Sequence, residues 1–132
     1  MEVEESFLGE LRLKQVYVID DDIEMRALLA DVLSRHGYRV KVFESGLEAL
    51  KAITIASKND PDAVICDLIM PDLDGREVTR RFKSLLPKVP VILITGFGSA
   101  LPLKEALNAG AHHLLTKPFG ISELIEALRI VA

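Results

Sequence analysis

The chain has 132 residues, of which 49% are hydrophobic, so it has the length of one domain and enough apolar material for one core. Its formal net charge is −4 and it has no block of Lys and Arg, which argues against a nucleic-acid-binding surface in these residues. No apolar stretch reaches the length of a membrane span, the N-terminus is acidic where a secretory signal is basic, and the single Cys66 cannot form an internal disulfide. These features predict a cytoplasmic protein that binds other proteins.

The first half of the chain predicts three strands and two helices. Residues 1–14 have no clear periodicity, and we interpret them as a leader that can be partly disordered. The predicted strands are 15–19, 38–43 and 62–66, and the predicted helices are 23–36 and 46–57. In the first helix, helical spacing predicts an inner face that consists of Ile23, Ala27, Leu28, Ala30, Val32 and Leu33.

The second half of the chain continues the alternation of strands and helices. The predicted helices are 76–86, 99–109 and 121 to the end, and the predicted strands are 91–94 and 111–116. The run 91–94 is uniformly apolar, as expected for a central parallel strand that is buried on both faces. The inner face of the helix 76–86 is predicted to consist of Val78, Phe82, Leu85 and Leu86. The alternation predicts an α/β fold with a parallel sheet and helices on both faces.

Polar side chains follow four of the five predicted strands. The first strand ends at Asp20 and Asp21, the third at Asp67, the fourth at Thr95 and the fifth at Lys117. The carboxyl ends of parallel strands lie at one edge of the sheet, so these side chains should lie close together. Three carboxylates at close range repel one another, and a hard divalent cation such as Mg²⁺ would offset the repulsion. The alternative is that the acidic run only caps the next helix and that the lysine is a surface charge.

The residue types at this edge fit phosphoryl chemistry. The carboxylate of Asp67 can attack phosphorus and form an acyl phosphate. Positioning, and cations on the phosphoryl oxygens, stabilise such a transfer. The cations would be Mg²⁺ and Lys117, and the backbone N–H groups of Leu68 and Gly96, which follow two of the strands, can donate to the same oxygens. The pattern predicts a phosphoryl group on Asp67.

The chain resembles the receiver domain of two-component response regulators over residues 15–132. The matching motifs, in chain order, are Val18-Ile19-Asp20-Asp21-Asp22, Asp67-Leu68-Ile69-Met70-Pro71-Asp72-Leu73-Asp74-Gly75, Ile94-Thr95-Gly96 and Lys117-Pro118-Phe119. The resemblance implies a flavodoxin-like, doubly wound (βα)5 fold with a five-stranded parallel sheet in the order 2-1-3-4-5. It also implies a cis peptide bond between Lys117 and Pro118.

The resemblance also assigns roles to the residues at the sheet edge. It implies that Asp67 is the phosphoacceptor, that Thr95 is a switch hydroxyl that turns toward the phosphoryl group, and that Lys117 forms an ion pair with that group. The cofactor would be Mg²⁺, with Mn²⁺ able to substitute. The implied metal ligands are Asp20, Asp21, Asp67 and the backbone carbonyl of Ile69.

The resemblance implies protein partners on both sides of the reaction. The phosphoryl group would come from a sensor histidine kinase or a histidine phosphotransfer protein. The face of the fourth helix, fifth strand and fifth helix would then alter binding to a downstream protein or to an effector in the same chain. The domain would catalyse only its own phosphorylation and dephosphorylation, without binding nucleic acid or membrane. One position departs from the family, which often has an aromatic residue where this chain has Leu114.

Two other classes of protein use similar sequence features. A pseudo-receiver is a scaffold that acts without phosphorylation, but its signature is a missing site residue, and none is missing here. A phosphohydrolase of the haloacid-dehalogenase type also uses a strand-end Asp and Mg²⁺, but it needs a second Asp where this chain has Ile69. Cys66 could be a redox switch and His112 and His113 metal ligands or phosphodonors. An apolar strand favours inert packing for the thiol, and the histidines lie at the start of the fifth strand, at the end opposite the site.

Overall fold

The computed structural model describes residues 14–55, 60–96 and 100–131, and in these ranges five strands alternate with five helices. The predicted leader lies outside the described residues, except for Lys14, as do the predicted limits of two helices at Ser57 and Ser99. The strands are β1 (Gln15–Ile19), β2 (Arg39–Phe43), β3 (Ala63–Asp67), β4 (Val91–Thr95) and β5 (His113–Thr116). The helices are α1 (Ile23–Arg35), α2 (Gly46–Ile55), α3 (Gly75–Leu85), α4 (Ala100–Ala109) and α5 (Ile121–Val131).

The strands form one parallel sheet in the order β2-β1-β3-β4-β5, which confirms the predicted fold class and strand order. Asp67 pairs with Ile94, and Thr95 pairs with Thr116, so the ends of β3, β4 and β5 are aligned. All five strands therefore end at the same edge of the sheet, called here the carboxyl edge. None of the described helices has both the length and the apolar character needed to cross a membrane.

The sheet separates two apolar cores. Along β4, Val91 and Leu93 pack into a core with residues of α2, α3 and α4, while Ile92 and Ile94 pack into a second core with residues of α1 and α5. All five residues of β4 are buried, as its uniform apolar sequence predicts. The fold is doubly wound, and every connection between a strand and the next helix starts at the carboxyl edge.

Side chains at the start of the helices explain why the chain turns there. The Asp22 side chain accepts a hydrogen bond of 3.0 Å from the N–H of Glu24 and caps α1. Ser45 Oγ accepts a hydrogen bond of 3.2 Å from the N–H of Glu48 at the start of α2. After α1, Gly37 adopts a φ of 89°, which favours glycine and ends the helix.

The predicted inner face of α1 was wrong in part. The buried residues are Leu29, Val32 and Leu33, whereas Ile23 is 70% and Leu28 is 56% exposed. Consecutive residues of a helix point about 100° apart. The face of α1 that packs on the sheet is therefore too narrow to include both Leu28 and its neighbour Leu29. The exposed positions leave apolar side chains of α1 at the surface.

Smaller corrections concern α3, β3 and β5. In α3, Val78 and Phe82 are buried as predicted and Leu86, just after the helix, packs against the same core, but Leu85 is 51% exposed. Thr79 is buried instead, and its Oγ1 donates a hydrogen bond of 2.7 Å to the carbonyl of Gly75. Asp67 belongs to β3 itself, and β5 begins at residue 113 rather than at residue 111.

Candidate functional site

The turn after β1 contains an acidic side chain that is almost fully buried. Asp20 is 1% exposed, and its Oδ1 accepts a hydrogen bond of 2.9 Å from the N–H of Asp22. Its Oδ2 is also buried, and among the described residues this oxygen has no hydrogen-bond partner. A buried carboxylate oxygen without a partner carries a desolvation cost, and a cation beside it would remove that cost.

The structure brings together the three carboxylates that the sequence predicts at the carboxyl edge. Asp20, Asp21 and Asp67 each offer a carboxylate oxygen, and these three oxygens all lie within 4.8 Å of one another. Asp20 is buried, Asp67 is half-buried and Asp21 is exposed, so the cluster opens to solvent on one side. An all-oxygen set with an open side is typical of a site for a hard divalent cation that retains water ligands.

Burial and the repulsion between carboxylates disfavour the charged forms of Asp20 and Asp67. Burial raises the pKa of Asp20 from 3.8 to about 6; the N–H of Asp22 opposes the rise, the charge of Asp67 adds to it, and the charge of Lys117 opposes it. Burial also raises the pKa of Asp67, which the charge of Lys117 and the N–H of Ile69 lower in turn. The residues therefore fit a divalent cation: it would take up the unpartnered oxygen and relieve the repulsion.

Two backbone N–H groups lie just after Asp67. The N–H of Leu68, predicted to face a phosphoryl group, donates a hydrogen bond of 2.8 Å to the carbonyl of Ile94. It also lowers the pKa of Asp67, as does the N–H of Ile69, which lies 3.4 Å from Asp67 Oδ1. The contact of the Leu68 N–H with a phosphoryl group remains a prediction.

Gly75 lets the start of α3 approach the backbone of Asp67. A Cβ atom at this position would lie 2.5 Å from the carbonyl oxygen of Asp67 and 2.8 Å from the Cα of Leu68. The N–H of Gly75 donates a hydrogen bond of 2.7 Å to the carbonyl of Leu68, which closes the loop after β3. Only glycine fits at this distance, so Gly75 helps to fix the position from which the Asp67 side chain leaves the sheet.

Thr95 and Lys117 stand on neighbouring strand ends. Thr95 is 4% exposed at the end of β4, and its carbonyl accepts a hydrogen bond of 2.8 Å from the N–H of Lys117. The peptide bond between Lys117 and Pro118 is cis, as the resemblance implies. Because the charge of Lys117 lowers the pKa of both Asp67 and Asp20, its ammonium group acts on the same small volume as the carboxylates.

An apolar cleft of about 580 Å³ lies next to these strand ends, between α1 and α5. Gly96 and Lys117 contribute to its lining, together with apolar side chains of both helices such as Leu28 and Ile121. These two side chains are 56% and 54% exposed. A Cβ atom at Gly96 would meet none of the described residues within 4 Å. The cleft therefore connects an apolar surface to the polar site.

One residue at the site was not identified from the sequence. Arg26, in the first turn of α1, donates a hydrogen bond of 2.7 Å from Nη1 to the backbone carbonyl of Asp20. The only sequence signal is a basic residue soon after the acidic run, and such residues are common on the exposed faces of helices. Its contact depends on the path of the turn between β1 and α1.

The fold and the site together define a doubly wound α/β domain with an acidic cluster at the carboxyl edge of its sheet. A family model described as "Response regulator receiver domain" matches residues 16–129. The chain belongs to this family, as its motifs predicted, and it is the receiver domain of a two-component response regulator.

Relatives and solved structures agree with this membership. The chain is 39% identical over 115 residues to the response regulator MprA of Mycobacterium sp. (strain KMS), an alignment that covers 87% of this chain and 49% of that protein. The chain thus spans about half the length of the curated relatives that it matches. A receiver domain protein from Clostridium thermocellum has a TM-score of 0.83 at 31% identity, covering 90% of this chain and 94% of the other. The chemotaxis protein CheY4 of Vibrio cholerae has a TM-score of 0.81 at 30% identity, covering 92% of this chain and all of the other.

Proposed function

We propose that residues 15–132 form a receiver domain that accepts a phosphoryl group on Asp67 from the phosphohistidine of a sensor kinase or a histidine phosphotransfer protein. The observation that carries the proposal is the convergence of Asp20, Asp21 and Asp67, with an unpartnered buried oxygen, under the charge of Lys117. This arrangement has a nucleophile, a cation site and a fixed positive charge in one place.

The proposed reaction moves a phosphoryl group between two side chains. A carboxylate oxygen of Asp67 attacks phosphorus; its O–P bond forms as the N–P bond to the donor imidazole breaks. The imidazole nitrogen retains the electron pair and takes up a proton. The signal ends when water attacks the phosphorus of the acyl phosphate, which restores the carboxylate of Asp67 and releases inorganic phosphate. The domain catalyses these two steps on itself, and its role is signalling.

The residues of the site divide this work. The proposed ligands of Mg²⁺, or of Mn²⁺ in its place, are Asp20, Asp21, Asp67 and the backbone carbonyl of Ile69. When bound, the metal supplies positive charge to the phosphoryl oxygens. Lys117 pairs with the same oxygens, and the N–H groups of Gly96 and Ile69 donate to them. The N–H of Leu68, which donates to the carbonyl of Ile94 in the structure, joins these donors.

The proposed switch runs from Thr95 to the face formed by α4, β5 and α5. The Thr95 hydroxyl turns toward the phosphoryl group and leaves space behind it at the end of β4. Leu114, on the neighbouring strand β5, is partly buried against the core that α4 shares, so it can change its packing without an aromatic ring. The altered face then changes the affinity for a downstream protein or for an effector in the same chain.

We propose that the phosphodonor protein docks on the apolar cleft between α1 and α5. The cleft reaches Lys117 and Gly96, so a protein seated there presents its phosphohistidine to the site. Exposed apolar side chains such as Leu28 and Ile121 supply the surface that such a contact buries. The cytoplasmic location remains a prediction from the sequence.

The proposal is tested by intact mass after incubation with acetyl phosphate, with Mg²⁺ and with a chelator. The native chain should gain one phosphoryl unit only when Mg²⁺ is present, and Asp67→Asn should gain none because an amide is not a nucleophile for this reaction. Asp72→Asn is the matched control, since this carboxylate is exposed in the loop that follows Asp67. It should gain the unit as the native chain does.

Two outcomes would contradict the proposal. Equal labelling of Asp67→Asn would mean that another residue accepts the phosphoryl group. No labelling of the native chain under any condition would favour a scaffold that binds its partner without modification.

A further inference from the structure

A guanidinium group reaches from α1 into the turn that holds the first two acids of the cluster. Arg26 belongs to the first turn of the helix, where its N–H donates a hydrogen bond of 3.0 Å to the carbonyl of Asp22. Its side chain folds back along the turn, and Nη1 donates a hydrogen bond of 2.7 Å to the carbonyl of Asp20 in a partly buried setting.

This contact completes the hydrogen bonding of Asp20. The N–H of Asp20 donates to the carbonyl of Phe43 at 3.1 Å, and Asp20 Oδ1 accepts from the N–H of Asp22 at 2.9 Å. The carbonyl of Asp20 lies beyond the last residue of β1 and receives its hydrogen bond from Arg26. Each backbone polar group of this residue thus has a defined partner, and the residue is held in one orientation.

Fixing this carbonyl also fixes the peptide group that leads into the next residue. The peptide group is planar, so the orientation of the Asp20 carbonyl sets the direction in which the chain enters Asp21. Asp21 is exposed, and its side chain has few packing neighbours to orient it. The guanidinium group of Arg26 therefore constrains the one acid of the cluster that burial does not hold.

The contact leaves the carboxylates available for a cation. Arg26 donates to a neutral backbone oxygen, whereas Asp20 Oδ2 keeps no partner among the described residues. The Arg26 contact can thus orient the two acids without occupying their carboxylate oxygens.

We propose that Arg26 is a positioning residue for the acidic cluster. It fixes the peptide group that joins Asp20 and Asp21, so that both carboxylates face one divalent cation. This inference rests on the proposed function, since it assigns the cluster to Mg²⁺. Arg26 itself touches neither the metal nor the phosphoryl group.

The test compares Arg26→Met, which keeps the apolar stem, with Arg26→Lys, which keeps a charged hydrogen-bond donor on a shorter side chain. Mg²⁺ affinity is measured by calorimetry, and amide exchange at Asp21 and Asp22 is measured in chelator. Arg26→Met should bind Mg²⁺ about tenfold more weakly, the size typical of residues that orient metal ligands, and both amides should exchange faster. Arg26→Lys should recover part of each effect. Arg35→Met is the matched control, since its side chain is 75% exposed and pairs with Asp31 on the same helix.

The outcomes separate this inference from the proposed function. Native affinity and native exchange in Arg26→Met would overturn the role of Arg26 and leave the metal site intact. A native chain that binds no Mg²⁺ would overturn the metal site and the positioning role with it. If Arg26→Met does not fold, Arg26→Lys decides. The lysine side chain is shorter and should reach the carbonyl of Asp20 less well, so Mg²⁺ binding should still be weaker than in Arg35→Met; equal binding by these two variants would overturn the role.

Discussion

Asp20 has the most unfavourable setting among the three acids of the cluster. It is almost fully buried, one of its oxygens has no partner in the described part of the chain, and its pKa is raised to about 6. Because the folded-state pKa lies above the unfolded one, the folded chain binds the proton more tightly. The contribution of this group to stability is therefore greatest at low pH and falls as the pH rises through the interval from 3.8 to about 6.

This pKa predicts how stability depends on pH in the absence of metal. In chelator, Asp20→Asn should be more stable than the native chain at neutral pH, by at most about 3 kcal/mol, and the difference should vanish at low pH where Asp20 is protonated. Urea unfolding at several pH values measures it. Asp31→Asn is the control, because its side chain is 59% exposed on α1. A native chain and an Asp20→Asn variant with the same stability at every pH would refute the assignment of this cost to Asp20.

The sequence predicted the acids, the threonine and the lysine because each directly follows a strand, and parallel strands end at one edge. It did not predict the hydrogen bonds of Arg26 and of the Ile69 N–H, or the hydrogen bond between the Leu68 N–H and the carbonyl of Ile94. These depend on how the turns fold after the strands. Strand ends can be located from apolar runs, whereas a backbone hydrogen bond within a turn has no pattern of residue types.

At the scale of the elements, a side-chain ion pair links α3 to α4. Arg76, at the start of α3, donates a hydrogen bond of 2.7 Å from Nη2 to Asp74 and forms an ion pair with Glu105 of α4. Asp74 also caps α3 by accepting a hydrogen bond of 2.7 Å from the N–H of Arg76. The loop after Asp67 is thus linked by one guanidinium group to the helix whose face is proposed to change on phosphorylation.

This link predicts a local effect of mutation on α4. Glu105→Gln should speed hydrogen exchange in α4 and change the overall free energy of unfolding little, because the pair is partly exposed. The measurement is hydrogen exchange followed by mass spectrometry, without phosphorylation. Glu126→Gln is the control, since it removes a similar ion pair, with Arg129, within the exposed surface of α5. Unchanged exchange in α4 would mean that the link does not restrain this helix.

Element positions followed from the sequence more reliably than the buried side of each element. The alternation of apolar runs and helical periods predicted the ten elements seen in the described residues, but it assigned Leu28 and Leu85 to inner faces. The spacing of apolar residues does not distinguish a residue that packs in the core from one that lines a surface cleft. Leu28 lines such a cleft, which is why it breaks the expected pattern.

At the scale of the whole molecule, the phosphoryl site and the docking cleft are adjacent but distinct. The site is built from strand ends, whereas much of the cleft is lined by side chains of α1 and α5. A small phosphodonor needs only the phosphoryl site, whereas a protein donor needs both the phosphoryl site and the cleft. The two requirements can therefore be separated by mutation.

Leu28→Ser should slow phosphorylation by a protein donor and leave phosphorylation by acetyl phosphate unchanged. The donor is the histidine kinase that labels the native chain fastest in a panel, and a roughly tenfold loss in rate at low donor concentration is expected from the loss of one central apolar contact. Ile130→Ser is the control, because Ile130 is 71% exposed on α5 and does not line the cleft. Equal losses with both donors would show that the substitution disturbs the site itself.

The unpartnered oxygen of Asp20 also bears on how long the molecule survives in a cell. Without a cation, the acidic cluster lowers the stability of the folded chain, and a ligand that binds only the folded state restores it. Proteases attack the transiently opened form, whose population follows that stability when opening and closing are fast. With Mg²⁺ bound as proposed, the chain that is ready to react is also the chain that resists degradation. Turnover would then remove metal-free copies first, so the pool of surviving receivers would be enriched in competent ones.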